Sequence, residues 1–258
     1  MTLIALRTLI GAALLTVMVR RSHPNWRTEL WEDLRSTVIL SVTGVAASGL
    51  LFYFGLRHTT ASNAGIISAS TPIWVTLLSW VYLAERPHFI NICGVVLSFS
   101  GLLTIISKGS LAALLDRSFN LGDLLILTGQ LNWAIYTVYG RSVLARRPAT
   151  LTTASAYLVG AVILLPLMFL EAPMQIFPSL SLSVTVAAAY LCLLSPLSNL
   201  WYYKALSQVS PHRAAIFMNL LPIIVLVFSA VVLHERITVA QITGTAMVIA
   251  GVILTTRF

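Results

Sequence analysis

Arg7 is a guanidinium set inside an otherwise apolar run, and few chemistries call for one there. A charge at the centre of a helix in hydrocarbon costs about 2.5–3.5 kcal/mol on insertion scales. By the helical rise Arg7 lies roughly 10 Å from the start of its run, so its long stem can carry the charge toward an interface. The functional reading is recognition of a carboxylate or another anion. The bland reading is a hydrogen-bonding residue packed against a neighbouring element, and the residue alone does not separate the two.

Pro72 and Pro222 stand within apolar runs. Proline inside a helix removes a hydrogen bond and frees the carbonyl four residues earlier, which is Ser68 for Pro72 and Met218 for Pro222. Broken helices are tolerated in a membrane where they line protein or water, and such breaks accompany binding sites in transporters. Pro72 and Pro222 are therefore candidate hinges or gates, with a simple packing kink as the alternative. Polar residues near the breaks are candidate substrate contacts: Asn63, Ser68, Ser70 and Thr71 beside Pro72, and Asn219 beside Pro222. Elsewhere Gln130, Asn132, Trp133 and Tyr136 share one run, with Asn132 and Tyr136 on one helical face. Ser195, Asn199 and Tyr202 fall on one side of another, where Tyr202 and Tyr203 also fit the role of interface anchors.

Other singled-out residues point to structure. Glu85 and Arg86, and again Glu235 and Arg236, end apolar runs and read as helix termination and local pairing. Gly94, Ser98 and Gly101 form a small-residue stripe, as do Gly244, Val248 and Gly251, and small residues let helices approach closely in lipid. These stripes are expected to support the scaffold or a homodimer contact. The apolar runs hold no acidic pair, no H-E-x-x-H and no nucleophile with its base, and the chain has no P-loop. An enzyme is disfavoured, and neither a metal nor another cofactor is expected.

The elements that must position these residues follow from composition. Of 258 residues, 58% are apolar and only 9% charged, against roughly 45–50% and 25% in soluble domains. Nine apolar blocks are each long enough to cross a bilayer: Thr2 to Val19, Ser36 to Leu56, Ser62 to Leu83, Phe89 to Ser107, Leu121 to Tyr139, Thr150 to Leu170, Leu182 to Tyr203, Arg213 to Leu233 and Thr238 to Thr256. They are continuous rather than alternating, which selects helices over barrel strands. No linker divides them, so the chain reads as one all-α polytopic domain whose main partner is the lipid bilayer. Cys93 and Cys192 both lie within apolar runs, so no disulfide framework is indicated.

The net charge of +8 would suggest nucleic acid in a soluble protein, but here it sorts by loop. After the odd-numbered spans come Arg20, Arg21, Arg27, Arg35, Arg86, Arg141, Arg146, Arg147, Lys204, Arg213 and Arg257; the other side has Arg57, Lys108, Arg117 and Arg236. Eleven against four predicts a cytoplasmic C-terminus in the cytoplasmic membrane, with no nucleic-acid partner.

The chain also repeats itself. From Tyr53 and from Tyr203 the sequence matches without a gap at an offset of 150, including Pro72/Pro222, Glu85/Glu235, Arg86/Arg236, Gly94/Gly244 and Gly101/Gly251. The register extends backward through Thr2/Thr152 and Leu14/Leu164. Equivalent helices are five spans apart, and an odd separation places the two halves upside down relative to each other. The fifth span would pair with a segment before residue 1. The predicted architecture is thus two inverted repeats of four and five helices, over 1–107 and 121–258.

An aromatic and Leu, an Ala-rich helix start, a mid-helix Pro, Glu-Arg at its end, and Gly seven residues from Gly together resemble the EamA-type repeat of the drug/metabolite transporter superfamily. The resemblance covers nearly the whole chain. It implies a ten-helix architecture of two inverted five-helix repeats, from which this sequence departs by lacking the first helix; a missing upstream segment is the expected reason. It further implies a secondary transporter of small organic metabolites or drugs, working by alternating access and most simply outward. A passive facilitator or channel is the alternative, and a membrane-embedded enzyme or assembly factor a more distant one.

Overall fold

The computed structural model describes residues 2–85, 87–107, 120–169, 182–232 and 238–257. Regular structure among them is helical throughout. A helix satisfies its own backbone polar groups, which is what long apolar runs need in a medium without water. Helix α1 spans Thr2–Ser22 and is followed by a single turn, α2, at Trp26–Glu29. The second apolar block is α3 (Leu34–Leu40), a π-helical segment (Ser41–Ala47) and α4 (Ser48–Leu56) in unbroken succession. The third is divided into α5 (Ala61–Ser68) and α6 (Thr71–Leu83), and the fourth is α7 (Phe89–Ser107). Next come α8 (Leu121–Leu144), α9 (Ala149–Phe169) and α10 (Leu182–Leu206). The eighth block is α11 (Pro211–Ile216), a 3-10 turn (Phe217–Leu220) and α12 (Leu221–Val232), and α13 (Val239–Arg257) is last.

Seven described stretches are long and apolar enough to cross a membrane, against the nine expected. The fifth block is helical as α8, yet Asp123, Gln130, Asn132 and Arg141 keep it out of that set. The eighth is interrupted by its 3-10 turn, and its end runs into 233–237, outside the described residues. Arg86, Glu235 and Arg236 also lie outside them. Glu85 is described: it follows Ala84, whose φ of 54° closes α6 in the left-handed conformation.

The helix ends have local causes. Asp33 caps α3 by accepting from the Ser36 N–H at 3.1 Å, and Thr60 caps α5 by accepting from that of Asn63 at 3.2 Å. At the start of α8, Asp123 Oδ2 accepts from the Asn120 N–H and Asn120 Oδ1 from the Asp123 N–H, a reciprocal cap that accounts for a buried carboxylate.

The chain forms two compact units, each drawing on both halves of the sequence: Met1–Leu50 with Ile135–Gln208, and Leu51–Ala134 with Val209–Phe258. In the first, α1 packs on α9 and α10. Its core includes Ile4, Ala5, Ala46 and Leu164, and a Cβ on Gly11 would lie 2.8 Å from Pro196 and from the Tyr157 ring. In the second, α7 and α13 cross in close contact around Val95, Leu102, Ile105, Val248 and Val252. There Gly94 meets the Gly251 carbonyl and Gly101 the Gly244 carbonyl, which makes the helices antiparallel. The glycine stripes thus face one another within the chain.

Candidate functional site

Polar and aromatic side chains gather inside each unit. In the first, the hydroxyl of Tyr203 donates to the Tyr136 carbonyl at 2.9 Å, and the two rings stack with centroids 4.6 Å apart. Both side chains are fully buried. Gly44, in the π-helical segment, lies under the Tyr136 ring, and Gly140 leaves room for the Tyr203 hydroxyl. Segments of π-helix often mark functional sites because the extra residue re-aims the turn. Tyr202 shares a hydrogen bond with Thr137 at 3.1 Å.

A second cluster in the same unit surrounds Tyr157, which is 1% exposed. Asn199 Nδ2 donates to its hydroxyl at 2.5 Å, and Ser195 hydrogen-bonds to the same group. Arg7 stands within electrostatic range of Tyr157 and Cys192. Its Nε is buried with no hydrogen-bond partner among the described residues.

One end of this unit is tied together by arginines. Arg147 donates to the Glu29 carbonyl at 2.6 Å and to Thr37 Oγ1 at 3.3 Å, and Arg141 to the carbonyls of Leu206 and Ser207 at 2.9 and 2.7 Å. The segments after α1, α8 and α10 therefore meet, with His23 Nδ1 3.0 Å from Glu29 Oε2 nearby. Burial would raise the Asp33 carboxyl, but the hydrogen bonds from Ser36 and the charges of Arg146 and Arg147 outweigh it and hold the group below its ordinary range. For Arg147 burial acts downward, and the carboxylates of Asp33, Glu32 and Glu29 oppose it.

The second unit contains both helix breaks. Between α5 and α6, Thr71 Oγ1 donates to the Ser68 carbonyl at 2.6 Å, so the group that Pro72 leaves without its usual donor is satisfied one turn on. Gln130 spans the break, donating to Ser68 Oγ at 3.0 Å while lying 2.7 Å from Thr71 Oγ1 through its own oxygen. Ser70 Oγ accepts from the Trp74 indole at 3.0 Å. At the other break the Leu221 N–H donates to the Met218 carbonyl across the 3-10 turn. Pro222 sits just inside α12, as Pro72 sits just inside α6. Asn219, 2% exposed, donates to Ser98 Oγ on α7 at 2.9 Å.

Ser68, Ser70, Gln130 and Pro72 are thus brought together, and Asn199 is brought to Tyr157. Asn63 lies at the start of α5, away from the break, and Asn132 bonds back to the Thr128 carbonyl of its own helix at 2.9 Å. Trp133 is half-buried on α8. Tyr157, Thr137 and Arg147 were not singled out from the sequence. For Tyr157 a signal existed: it occupies the position 150 residues after Arg7.

Long apolar helices, outward-facing side chains such as Phe89 at 79% exposure, and polar clusters inside define a multi-pass membrane protein. The chain belongs to the EamA-like transporter family, matched over residues 1–107 and 120–257. It is 27% identical to the uncharacterized transporter YyaM of Bacillus subtilis over 95% of this chain and 80% of that protein. An uncharacterized transporter of Archaeoglobus fulgidus is 31% identical over 84% of this chain and 74% of its own length. A relative from Streptantibioticus cattleyicolor, described as a "probable terminal-alkyne amino-acid exporter", is 28% identical over 87% and 74%. A crystal structure with a TM-score of 0.72 and 17% identity covers 99% of this chain and 88% of the other, a likeness of fold. The protein is a membrane transporter and not an enzyme.

Proposed function

We propose that the chain is a secondary transporter that moves small organic metabolites or drugs outward across the cytoplasmic membrane by alternating access. The observation that carries this reading is the pair of helix breaks, at 69–70 and at Phe217–Leu220, which fall at matching positions of the two halves. Helices divided in this way present backbone and polar side chains to a solute and can change their bend without unfolding. The antiparallel crossing of α7 and α13 supports two inverted repeats of four and five helices, because these helices are equivalent at the offset of 150. The meeting of the Arg-rich segments after α1, α8 and α10 at one end of their unit supports a cytoplasmic C-terminus. The relative named as an amino-acid exporter supports the outward direction.

The test is counterflow in proteoliposomes loaded with a mixed pool of amino acids and aromatic acids, under imposed pH and sodium gradients. Saturable efflux accelerated by solute on the opposite side is expected, with Pro72→Ala and Pro222→Ala each slowing it. Flux that ignores the opposite-side solute would instead identify a passive facilitator, and unchanged rates in both proline variants would remove the gating role.

A further inference from the structure

Residues 23–33 join α1 to α3 in the first unit as a strap with little apolar anchorage of its own. Leu30, at 2% exposure, is its one buried residue; α2 buries none, and Trp31 is 51% exposed. Segments with so few buried contacts belong to the part of a fold that opens at least cost. What fastens the strap is Arg147, in the loop between α8 and α9. Its guanidinium donates to the Glu29 carbonyl at 2.6 Å and so grips main chain, and beside it Arg146 Nη2 lies 3.9 Å from Asp33 Oδ2.

The same guanidinium reaches past the strap. It donates to Thr37 Oγ1 at 3.3 Å, the Thr37 hydroxyl donates to Ser155 Oγ at 3.4 Å, and the Ser155 hydroxyl donates to the Thr152 carbonyl at 3.1 Å. One line of donors therefore runs from the strap into the seam between α3 and α9, where Thr37 and Ser155 are each 1% exposed. Ser36 of α3 shares a further bond with the Tyr139 hydroxyl of α8 at 2.9 Å.

This seam is polar at the strap end and apolar farther in. Ser36, Thr37, Thr152, Thr153 and Ser155 are buried in the first turns of α3 and α9, whereas Ala46 and Leu164, farther along the same stretches, join an apolar core with Ile4 and Ala5. Parting apolar surfaces exposes them to water at a cost that grows with their area. Parting hydroxyls from one another or from a guanidinium costs far less, because water takes the place of each lost partner. The strap end of the seam can therefore open and close in water while the core beyond it stays shut.

We propose that residues 23–33 are a gate over the seam between α3 and α9, and that Arg147 is the positioning residue that latches it. With Arg147 bonded as in this structure the seam is sealed; when the guanidinium lets go, the strap lifts and the Thr37–Ser155 contact is exposed to water. This rests on the alternating-access reading above, in which the end carrying these arginines faces the cytoplasm, and it names the element that closes that end.

The experiment uses the full chain carrying Cys93→Ala and Cys192→Ala, in nanodiscs, with a membrane-impermeant maleimide as probe. Ser155→Cys reports on the seam, and Thr8→Cys, fully buried in α1, reports on the unit as a whole. Labelling at both positions should be slow while Arg147 is present. Arg147→Met should speed it at position 155 roughly tenfold, the factor that loss of one well-formed hydrogen bond gives, and leave position 8 slow. Arg147→Lys should have a smaller effect, since an ammonium keeps the charge without the planar fork. Labelling at 155 that ignores Arg147→Met, or an equal rise at position 8, would overturn the gate. Counterflow of the mixed pool of amino acids and aromatic acids is then measured in proteoliposomes with Asp33→Cys joined to Arg146→Cys by a disulfide-containing bismaleimide. Joining should abolish counterflow and cleaving the linker should restore it; no change on cleavage, where wild-type protein does carry counterflow, would also overturn the proposal. Arg147-dependent labelling with no counterflow in wild type would leave the gate standing and count against transport, whereas counterflow with labelling that ignores Arg147 would do the reverse.

Discussion

The carbonyl oxygen of Gly244 lies 2.6 Å from the place a Cβ on Gly101 would occupy, and the Gly101 carbonyl lies 2.6 Å from that of a Cβ on Gly244. The obstacle on each side is backbone, which cannot rotate away as a side chain could. Gly101→Ala or Gly244→Ala must therefore push α7 and α13 apart, and overpacking of this kind costs about 1–3 kcal/mol. Thermal unfolding of the purified protein in detergent should show the loss. Gly65→Ala is the control, since its nearest neighbour outside the local helix backbone is Ile106 Cδ1 at 3.5 Å, and it should leave the transition unmoved or slightly raised.

Gln130 holds both sides of the break before Pro72 through Ser68 and Thr71. Gln130→Leu keeps the volume and removes the bond to Ser68 Oγ, worth about 0.5–1.5 kcal/mol, together with the acceptor beside the Thr71 hydroxyl. Faster hydrogen exchange is expected at the amides of 69–73, with little change in α7. Unaltered exchange there would mean that Thr71 alone maintains the break.

Tyr203→Phe tests the aromatic pair in the first unit. The ring stack on Tyr136 is retained while the donor to the Tyr136 carbonyl is lost, so stability should fall by about 1 kcal/mol. Gly140→Ala should cost more, because its methyl would meet the Tyr203 ring carbon at 2.8 Å. Reversal of that order in thermal unfolding would show that the hydroxyl matters more than the close approach.

Asp33 combines an N-cap with two arginine neighbours, and Asp33→Ala should cost about 1 kcal/mol. The folded protein holds this carboxyl below its ordinary range. Its contribution is therefore present above the unfolded-state pKa and disappears as pH falls through the lower, folded-state one. Stability measured across an acid titration should drop in that window for wild type, and the difference from Asp33→Ala should shrink toward zero at its low end.

Much of the architecture was legible because its causes are local. The fourth block, Phe89 to Ser107, is the same in sequence and structure, since a helix of that length depends only on apolar neighbours and the flanking Pro87 and His88. The breaks at Pro72 and Pro222 were legible for a similar reason, proline acting on carbonyls four residues away. The fifth block, Leu121 to Tyr139, was legible as a helix as well, although its polar residues keep it out of the seven described stretches apolar enough to cross a membrane. Its polar residues have uses elsewhere in the fold: Asp123 accepts from Thr59, Gln130 bridges the break and Arg141 holds the end of α10.

Composition and periodicity, then, determined by themselves that this is a helical membrane protein built on an internal register of 150 residues, with helix breaks near two prolines and stripes of small residues. Tertiary structure decided what those features touch. It set the two glycine stripes against each other, buried Tyr203 on Tyr136 and closed the Tyr157–Asn199 pair. These pairings join residues separated by 42 to 157 positions, and a hydrophobic pattern with a period of 3.6 residues has no memory over that distance. Only the packing of one helix on another determines whether a polar atom buried in hydrocarbon finds its partner within the chain or must take it from a solute.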